Sequence, residues 1–332
     1  MTPPLFAFWQ AHALDFPVEM CDNCPIAEWD RGSDMSSTRK RNSGGSHLVT
    51  IILALVLALL ATFFGRSRLG EEPERETTPV SGDGLTVHYI DVGQGDSTLI
   101  TCGGETMLID AGIPSAGETV TDYLSSQGVT AIDYLVCTHA HADHCGGLDD
   151  VVVNFPVKTI YSSVTESSNK TFTYFADAAA TAGVTIQVPE PDSTFSLGEA
   201  TVTVLGPRAD YSDVNDQSLV LRVDYGETSF LFTGDAEYDS ETDILDAGCD
   251  VRCDVLKAGH HGSSTSTGYR LLYEAEPQYC VISCGADNDY GHPHEETLSR
   301  LRDADVTVYR TDQNGTVVCF SDGQTLTFAT EK

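Results

Sequence analysis

Basic residues are scarce in this chain. It holds 18 Lys and Arg against 50 Asp and Glu, a formal net charge of -32 at pH 7, and a field of that sign repels polyanions unless a local basic patch or bound cations offset it. After the linker described below, the only lysines are Lys158, Lys170, Lys257 and the C-terminal Lys332, while Arg208, Arg222, Arg252 and Arg270 form no cluster in sequence. DNA is therefore disfavoured as a partner, and solubility or a salty habitat is the simplest account of the acidity. Long uncharged runs are also rare. Only residues 48–64 form one, so this stretch of chain does not hold a multi-helix channel. Cys21-Asp-Asn-Cys24 has no second pair nearby and is a poor signal for a zinc knuckle or redox site. No internal repeat is visible.

What is present begins with an N-terminal segment, residues 1–47. Residues 1–34 lack helical or strand periodicity, whereas Met35 opens a stretch carrying Arg39, Lys40 and Arg41. Translation is expected to start at Met35. The run 48–64 has no charge and no small-residue cleavage pattern after it, so it reads as an uncleaved membrane anchor rather than a signal peptide or core helix. The positive-inside rule then places the rest of the protein outside a cell membrane it crosses once, with secretion as the alternative. Residues 65–84 are polar and rich in Glu, Pro and Gly, a linker. Residues 85–332 carry the folded domain.

Within that domain short strands alternate with helices. Alternation and β-branched content predict strands at 85–91, 98–102, 106–110, a run ending at Thr138, 157–161, 184–188, 201–205, 219–224, 229–233, 253–258, 278–283, 306–309, 316–320 and 325–329. Helices are predicted at 117–127, 146–153, 170–182, 239–247, 267–275 and 295–303. So many strands with this few helices imply two packed sheets with outer helices.

The polar residues that carry chemistry fall at strand ends. Thr138-His139-Ala140-His141-Ala142-Asp143-His144 follows the apolar run Tyr134–Cys137, and it crowds three imidazoles and a carboxylate into six residues. Alternate residues of a tight loop can face one cation while their neighbours face a second, so this pattern suits two metals. Asp110 ends Leu108-Ile109-Asp110-Ala-Gly112, and Asp235 ends Phe232-Thr-Gly234-Asp235, where the Gly allows close approach to a metal and the carboxylate could bridge two ions. His260 and His261 follow another strand. His292 and His294, in Gly291-His-Pro-His294, precede a helix that starts with Glu295 and Glu296. A helix-start turn is the plain alternative for that last pair.

These stretches, with Asp91-Val-Gly-Gln-Gly-Asp96, Ser218-Leu-Val-Leu and Leu256-Lys-Ala-Gly-His-His-Gly-Ser263, resemble the metallo-β-lactamase superfamily and, within it, the hydrolase domain of ComEC-type competence proteins. The resemblance runs in order from residue 85 to about 305. It implies an α/β fold, the αββα metallo-β-lactamase sandwich. It also implies two divalent metal ions, zinc or manganese. His139 and His141 would hold one, Asp143 and His144 the other, Asp235 would bridge, and His260 or His261 would complete the second place. Many relatives supply a third His to the first metal; here the matching stretch is Val214-Asn215-Asp216-Gln217, and Asn215 or Asp216 would be a harder ligand there, favouring manganese.

The expected activity is metal-assisted hydrolysis of a phosphodiester, by a phosphodiesterase or nuclease-like enzyme of the ComEC type. Asp143 or Asp235 would orient the attacking water, His292 or His294 would bind a phosphate oxygen or protonate the leaving group, Asp110 would orient a ligand His, and Gln94 and Asp96 would shape the rim. A small ester or phosphorylcholine ester of the cell envelope is the alternative substrate, and a non-catalytic surface binding protein the third class. Of ten Cys, some could form disulfides if the domain is outside, with buried free thiols as the other reading.

Overall fold

A computed structural model describes residues 84–332. The expected start at Met35, the anchor at 48–64 and the linker up to residue 83 lie outside the described residues. No helix among the described residues is long and apolar enough to cross a membrane.

Two sheets form. The first is eight-stranded, in the order β15-β14-β1-β2-β3-β4-β5-β6, and the second is seven-stranded, in the order β13-β12-β11-β10-β9-β8-β7. In the first, β1 (Leu85–Tyr89), β2 (Thr98–Cys102) and β3 (Glu105–Ile109) form a meander, β4 (Ile132–Cys137), β5 (Val157–Ser162) and β6 (Ile186–Gln187) continue it in parallel, and β14 (Val317–Ser321) and β15 (Leu326–Thr330) extend the other side. In the second, β7 (Thr194–Leu197), β8 (Ala200–Gly206), β9 (Val220–Tyr225) and β10 (Thr228–Phe232) are antiparallel, and β11 (Val255–Lys257), β12 (Tyr279–Ile282) and β13 (Thr307–Arg310) run parallel to β10.

Side-chain alternation explains the layering. Ile100, Met107 and Val136 turn inward to meet Val202, Leu221, Phe230 and Val255 of the opposite sheet. Their neighbours Leu99, Leu108 and Leu135 turn outward, onto α1 (Gly117–Ser126), α3 (Leu148–Asn154) and α4 (Lys170–Ala182). Leu231, Leu256 and Ile282 turn outward from the second sheet onto α5 (Tyr238–Asp246), α6 (Tyr269–Ala275) and α7 (Glu295–Asp303). Because both faces of both sheets are covered, central strands read as nearly continuous apolar runs.

One local expectation needs correction, two elements were unforeseen, and one open alternative is decided. The helix expected at 146–153 is α3, which starts later behind a separate short helix, α2 (Ala142–Cys145), because Gly146 and Gly147 break the run against the backbone of Pro114 and Gly117. Strand β7 and the short α8 (Thr311–Asn314) were not expected. None of the described cysteines is in a disulfide, and all but the half-buried Cys249 are buried free thiols.

Candidate metal centre

The parallel strands of both sheets end at one place, and loops at the carboxyl ends of parallel strands are where α/β sheets collect functional groups. From the first sheet, β3 delivers Asp110 and β4 delivers the loop Thr138–His144. From the second, β10 delivers Asp235 and β11 delivers His260 and His261. They surround a cleft of about 370 Å³ whose lining includes His141, Asp143, Asn215, Asp235, His261 and His292.

Asp110 organises the first loop. It is fully buried at φ 58, a left-handed conformation that costs a non-glycine residue about 1–3 kcal/mol and persists only when its surroundings enforce it. Its Oδ1 accepts Thr138 N–H at 2.8 Å, and its Oδ2 accepts Thr138 Oγ1–H at 2.6 Å and lies 2.8 Å from His144 Nδ1. With Nδ1 taken, His144 presents Nε2 to the cleft. The neighbouring loop is lashed on by Asp96 N–H donating to Asp143 O at 3.0 Å, an approach Gly95 permits because a Cβ there would stand 2.5 Å from that oxygen.

Donor atoms then pair at distances that suit cations. His139 Nε2 is 3.0 Å from His141 Nδ1, and it is 3.8 Å from Asp235 Oδ2. On the other side His144 Nε2 is 3.3 Å from His261 Nε2, which is 3.2 Å from Asp143 Oδ2 and 3.6 Å from Asp235 Oδ2. Asp235 is buried between the two groups; its Oδ1 lies 3.2 Å from His144 Nε2 yet is not aligned for a hydrogen bond with it or any other group. A buried carboxylate oxygen without a hydrogen bond is costly, and ligand atoms gathered this closely around it are what a shared cation would satisfy. The donor set therefore fits divalent metal.

The electrostatics of the metal-free chain say the same. Burial alone would raise the Asp235 carboxyl, but the imidazoles of His144, His261 and His139 hold it well below the usual carboxylate range. Burial would lower His144, but Asp235 and Asp110 outweigh it and push it well up; burial is likewise outweighed at His261, which Asp235 and Asp96 push up to about 10.

Residues 90–286 match the sequence model of the Metallo-beta-lactamase superfamily. The chain belongs to that superfamily. It is 33% identical over 250 residues to ComE operon protein 3 of Bacillus subtilis, an alignment covering 70% of this chain and 32% of that protein. It is 31% identical to Competence protein ComA of Neisseria gonorrhoeae, over 72% of this chain and 32% of the relative. The chain thus spans about a third of the length of these relatives. Among solved structures, the metallo-beta-lactamase fold protein YhfI from Bacillus subtilis aligns with a TM-score of 0.47 at 13% identity, covering 68% of this chain and 96% of that one.

Against the superfamily pattern read from the sequence, the structure sorts the open alternatives. His261, not His260, faces Asp143 and His144. His260 turns to the other side of Asp235, its Nε2 3.7 Å from Oδ2. The two neighbours diverge because both sit at positive φ, 47 and 53, which ends the strand's simple alternation. Asn215 lines the cleft, whereas the Asp216 carboxylate accepts the backbone N–H of Glu237 and Ser240 at the start of α5. Asp96 is not on the rim: it lies buried beneath His261, with Oδ1 3.1 Å from Nδ1. It stands with the cluster His144, Asp235 and His261, but it approaches the far nitrogen of His261, whose ring is fixed by the Nδ1–H bond to Ser283 O at 3.1 Å, and its own Oδ1 has no hydrogen-bond partner. Gln94 does line the cleft. His292 lines it too, with a buried, unpartnered Nδ1. His294 does not: Ser264 N–H donates to its Nδ1 at 2.9 Å and its Nε2 is 3.2 Å from Tyr290 O, the role of a helix-start turn.

The basic residues are the feature least visible in sequence. Lys257 is buried on Asp96, Lys158 pairs with Asp133, Arg208 with Asp192, Arg222 with Asp224, Arg252 with Glu276 and Arg270 with Asp246. Lys170 alone among the lysines and arginines of the described residues faces no carboxylate or carbonyl, and no Lys or Arg lines the cleft.

Proposed function

We propose that this chain is a two-metal phosphodiesterase acting on small diesters, with His139, His141 and Asp235 holding one divalent ion and Asp143, His144, His261 and Asp235 the other. The observation that carries it is the convergence, from two sheets, of buried donors on the misaligned Asp235 carboxylate. Divalent ions held there lower the pKa of water and neutralise charge developing on phosphoryl oxygens. The chain's own residues do the rest. Asp143, a quarter exposed at the cleft, accepts a hydrogen bond from the attacking water and aims its lone pair. His292 is held down to about 4 by burial and then by the imidazoles around it, so it is neutral at pH 7 and donates a hydrogen bond to a phosphate oxygen rather than a proton to the leaving group. Gln94, Asn169 and Tyr290 add neutral polar groups to the lining.

A relative named Competence protein ComA supports the phosphodiester class, as does a relative from Haemophilus influenzae named Recombination protein 2. The engaged cations argue for a small substrate over long DNA, since non-specific binding to a nucleic acid rests on free Lys and Arg. A phosphorylcholine-type ester is the second reading: Tyr290 stands 66% exposed and stacked on His292, and a tyrosine face attracts quaternary ammonium. The test compares kcat/KM, with zinc or manganese, for bis(p-nitrophenyl) phosphate, a phosphorylcholine ester, a lactone and a single-stranded oligonucleotide across a salt series. The small diester should be cut best. Efficient oligonucleotide cleavage that falls steeply with salt would overturn the size preference, preference for the choline ester would replace the substrate, and no turnover of any would leave a binding protein.

A further inference from the structure

Glu237 stands at the start of α5 and contributes nothing directly to the donor pairs described above. Its Oε1 nevertheless accepts from three groups: Thr265 Oγ1 at 2.8 Å, His260 Nδ1 at 3.0 Å and Asn215 Nδ2 at 3.4 Å. An ionised carboxylate only accepts, so each of these must turn a proton toward it. His260 thereby carries its proton on Nδ1 and presents the Nε2 lone pair, whose 3.7 Å to Asp235 Oδ2 matches the 3.8 Å of His139 Nε2 to the same oxygen. Asn215 turns its amide nitrogen to Glu237 and its Oδ1 away. That oxygen is buried and has no hydrogen-bond partner, on a residue that lines the cleft beside His141, Asp235 and His260. A buried amide oxygen with no donor carries a desolvation penalty that a cation would remove. The backbone below is fixed in turn, since Asp216 accepts Glu237 N–H at 2.9 Å.

Resting on the two-metal reading above, we infer that Glu237 is a positioning residue that completes the first cation place: one carboxylate sets the tautomer of His260 and the flip of Asn215, so that Nε2 and Oδ1 join His139, His141 and Asp235. The first place then has a mixed nitrogen and oxygen donor set, which manganese accepts readily. The second place, built on Asp143, His144 and His261, does not touch Glu237.

The full chain, stripped with chelator, is titrated with zinc by calorimetry while the histidine ring nitrogens are followed by 15N NMR. Glu237→Gln keeps the shape but replaces one oxygen by a donor. It should weaken one zinc equivalent by about 10–100-fold, the cost typical of losing an orienting partner, leave the other unchanged, and shift the His260 ring proton off Nδ1. The retained equivalent reports that the variant is folded. Thr265→Ala, which keeps the carboxylate, should leave both affinities and the tautomer in place. Unchanged affinities and tautomer in Glu237→Gln overturn the inference and leave the two-metal reading standing; loss of both equivalents from a folded variant overturns it as well. A wild-type chain that takes up fewer than two equivalents overturns the reading itself.

Discussion

Lys257 Nζ lies 2.8 Å from Asp96 Oδ2 under the floor of the cleft, and both side chains are buried. One of the few lysines of the domain is therefore spent inside it, compensating the Asp96 carboxylate beneath His261.

Removing only one member of such a pair leaves a buried charge uncompensated. Lys257→Met should cost about 3–5 kcal/mol of stability, measured as a shift in the urea midpoint at constant slope. A loss under about 1 kcal/mol, the range of a surface pair, would show that the lysine is solvated.

Asp235→Ala deletes the one carboxylate placed between both donor groups. Bound metal should fall below one equivalent by elemental analysis, and activity should drop by more than about a hundredfold, since losing a mere orienting partner already costs 10–100-fold. Two full equivalents in the variant would refute the bridging role.

Zinc must displace protons. Asp235 and Asp110 raise His144 above its ordinary value, and His261 stands near 10, so the His261 ring is protonated at pH 7 before metal binds. Loading the site at pH 7 should release at least one proton, and affinity should climb as pH rises toward 10. Calorimetry in buffers of different ionisation enthalpy reads the number; a value of zero at pH 7 would place the rings in their neutral form before metal arrives.

A separate pH effect comes from His88, which is buried on β1 with Nδ1 2.9 Å from Tyr123 Oη. Burial lowers its pKa from 6.5 to about 4. The folded chain thus binds fewer protons than the unfolded one between those values, and stability contributed above pH 6.5 is lost as pH falls toward 4, by up to about 3 kcal/mol. His88→Phe should flatten that limb of the stability curve relative to wild type. Parallel curves for the two proteins would contradict it.

Strand alternation made most of the sheet legible in sequence. Leu99, Ile100, Met107 and Leu108 announce two buried faces by composition alone. Strand β7 was not legible because Thr194–Leu197 is short and three of its four residues are exposed or half-buried, and α8 was not because its Thr311 hydroxyl bond to Cys284 O is a tertiary contact. The gathering of His139, His141, Asp143 and His144 in one loop was legible from their spacing. The choice between His260 and His261 did not, because two successive left-handed residues follow no strand periodicity. Nor did the pairing of cations such as Lys257 with Asp96, Arg252 with Glu276 and Arg270 with Asp246, which joins residues far apart in the chain.

His139, His141, Asp143 and His144 hang from the first sheet, while Asp235, His260 and His261 hang from the second. The sheets face one another like the covers of a book, glued along the apolar pages between them, and the donors stand on the open edge. A cation there is a clasp. It ties together two covers that the core alone would otherwise hold, so each metal bound a thousandfold above its Kd adds about 4 kcal/mol against opening. Chelation should thus be felt first as a loosening of that edge, in amide exchange along the ends of β4 and β11, with the far side of the sandwich unchanged.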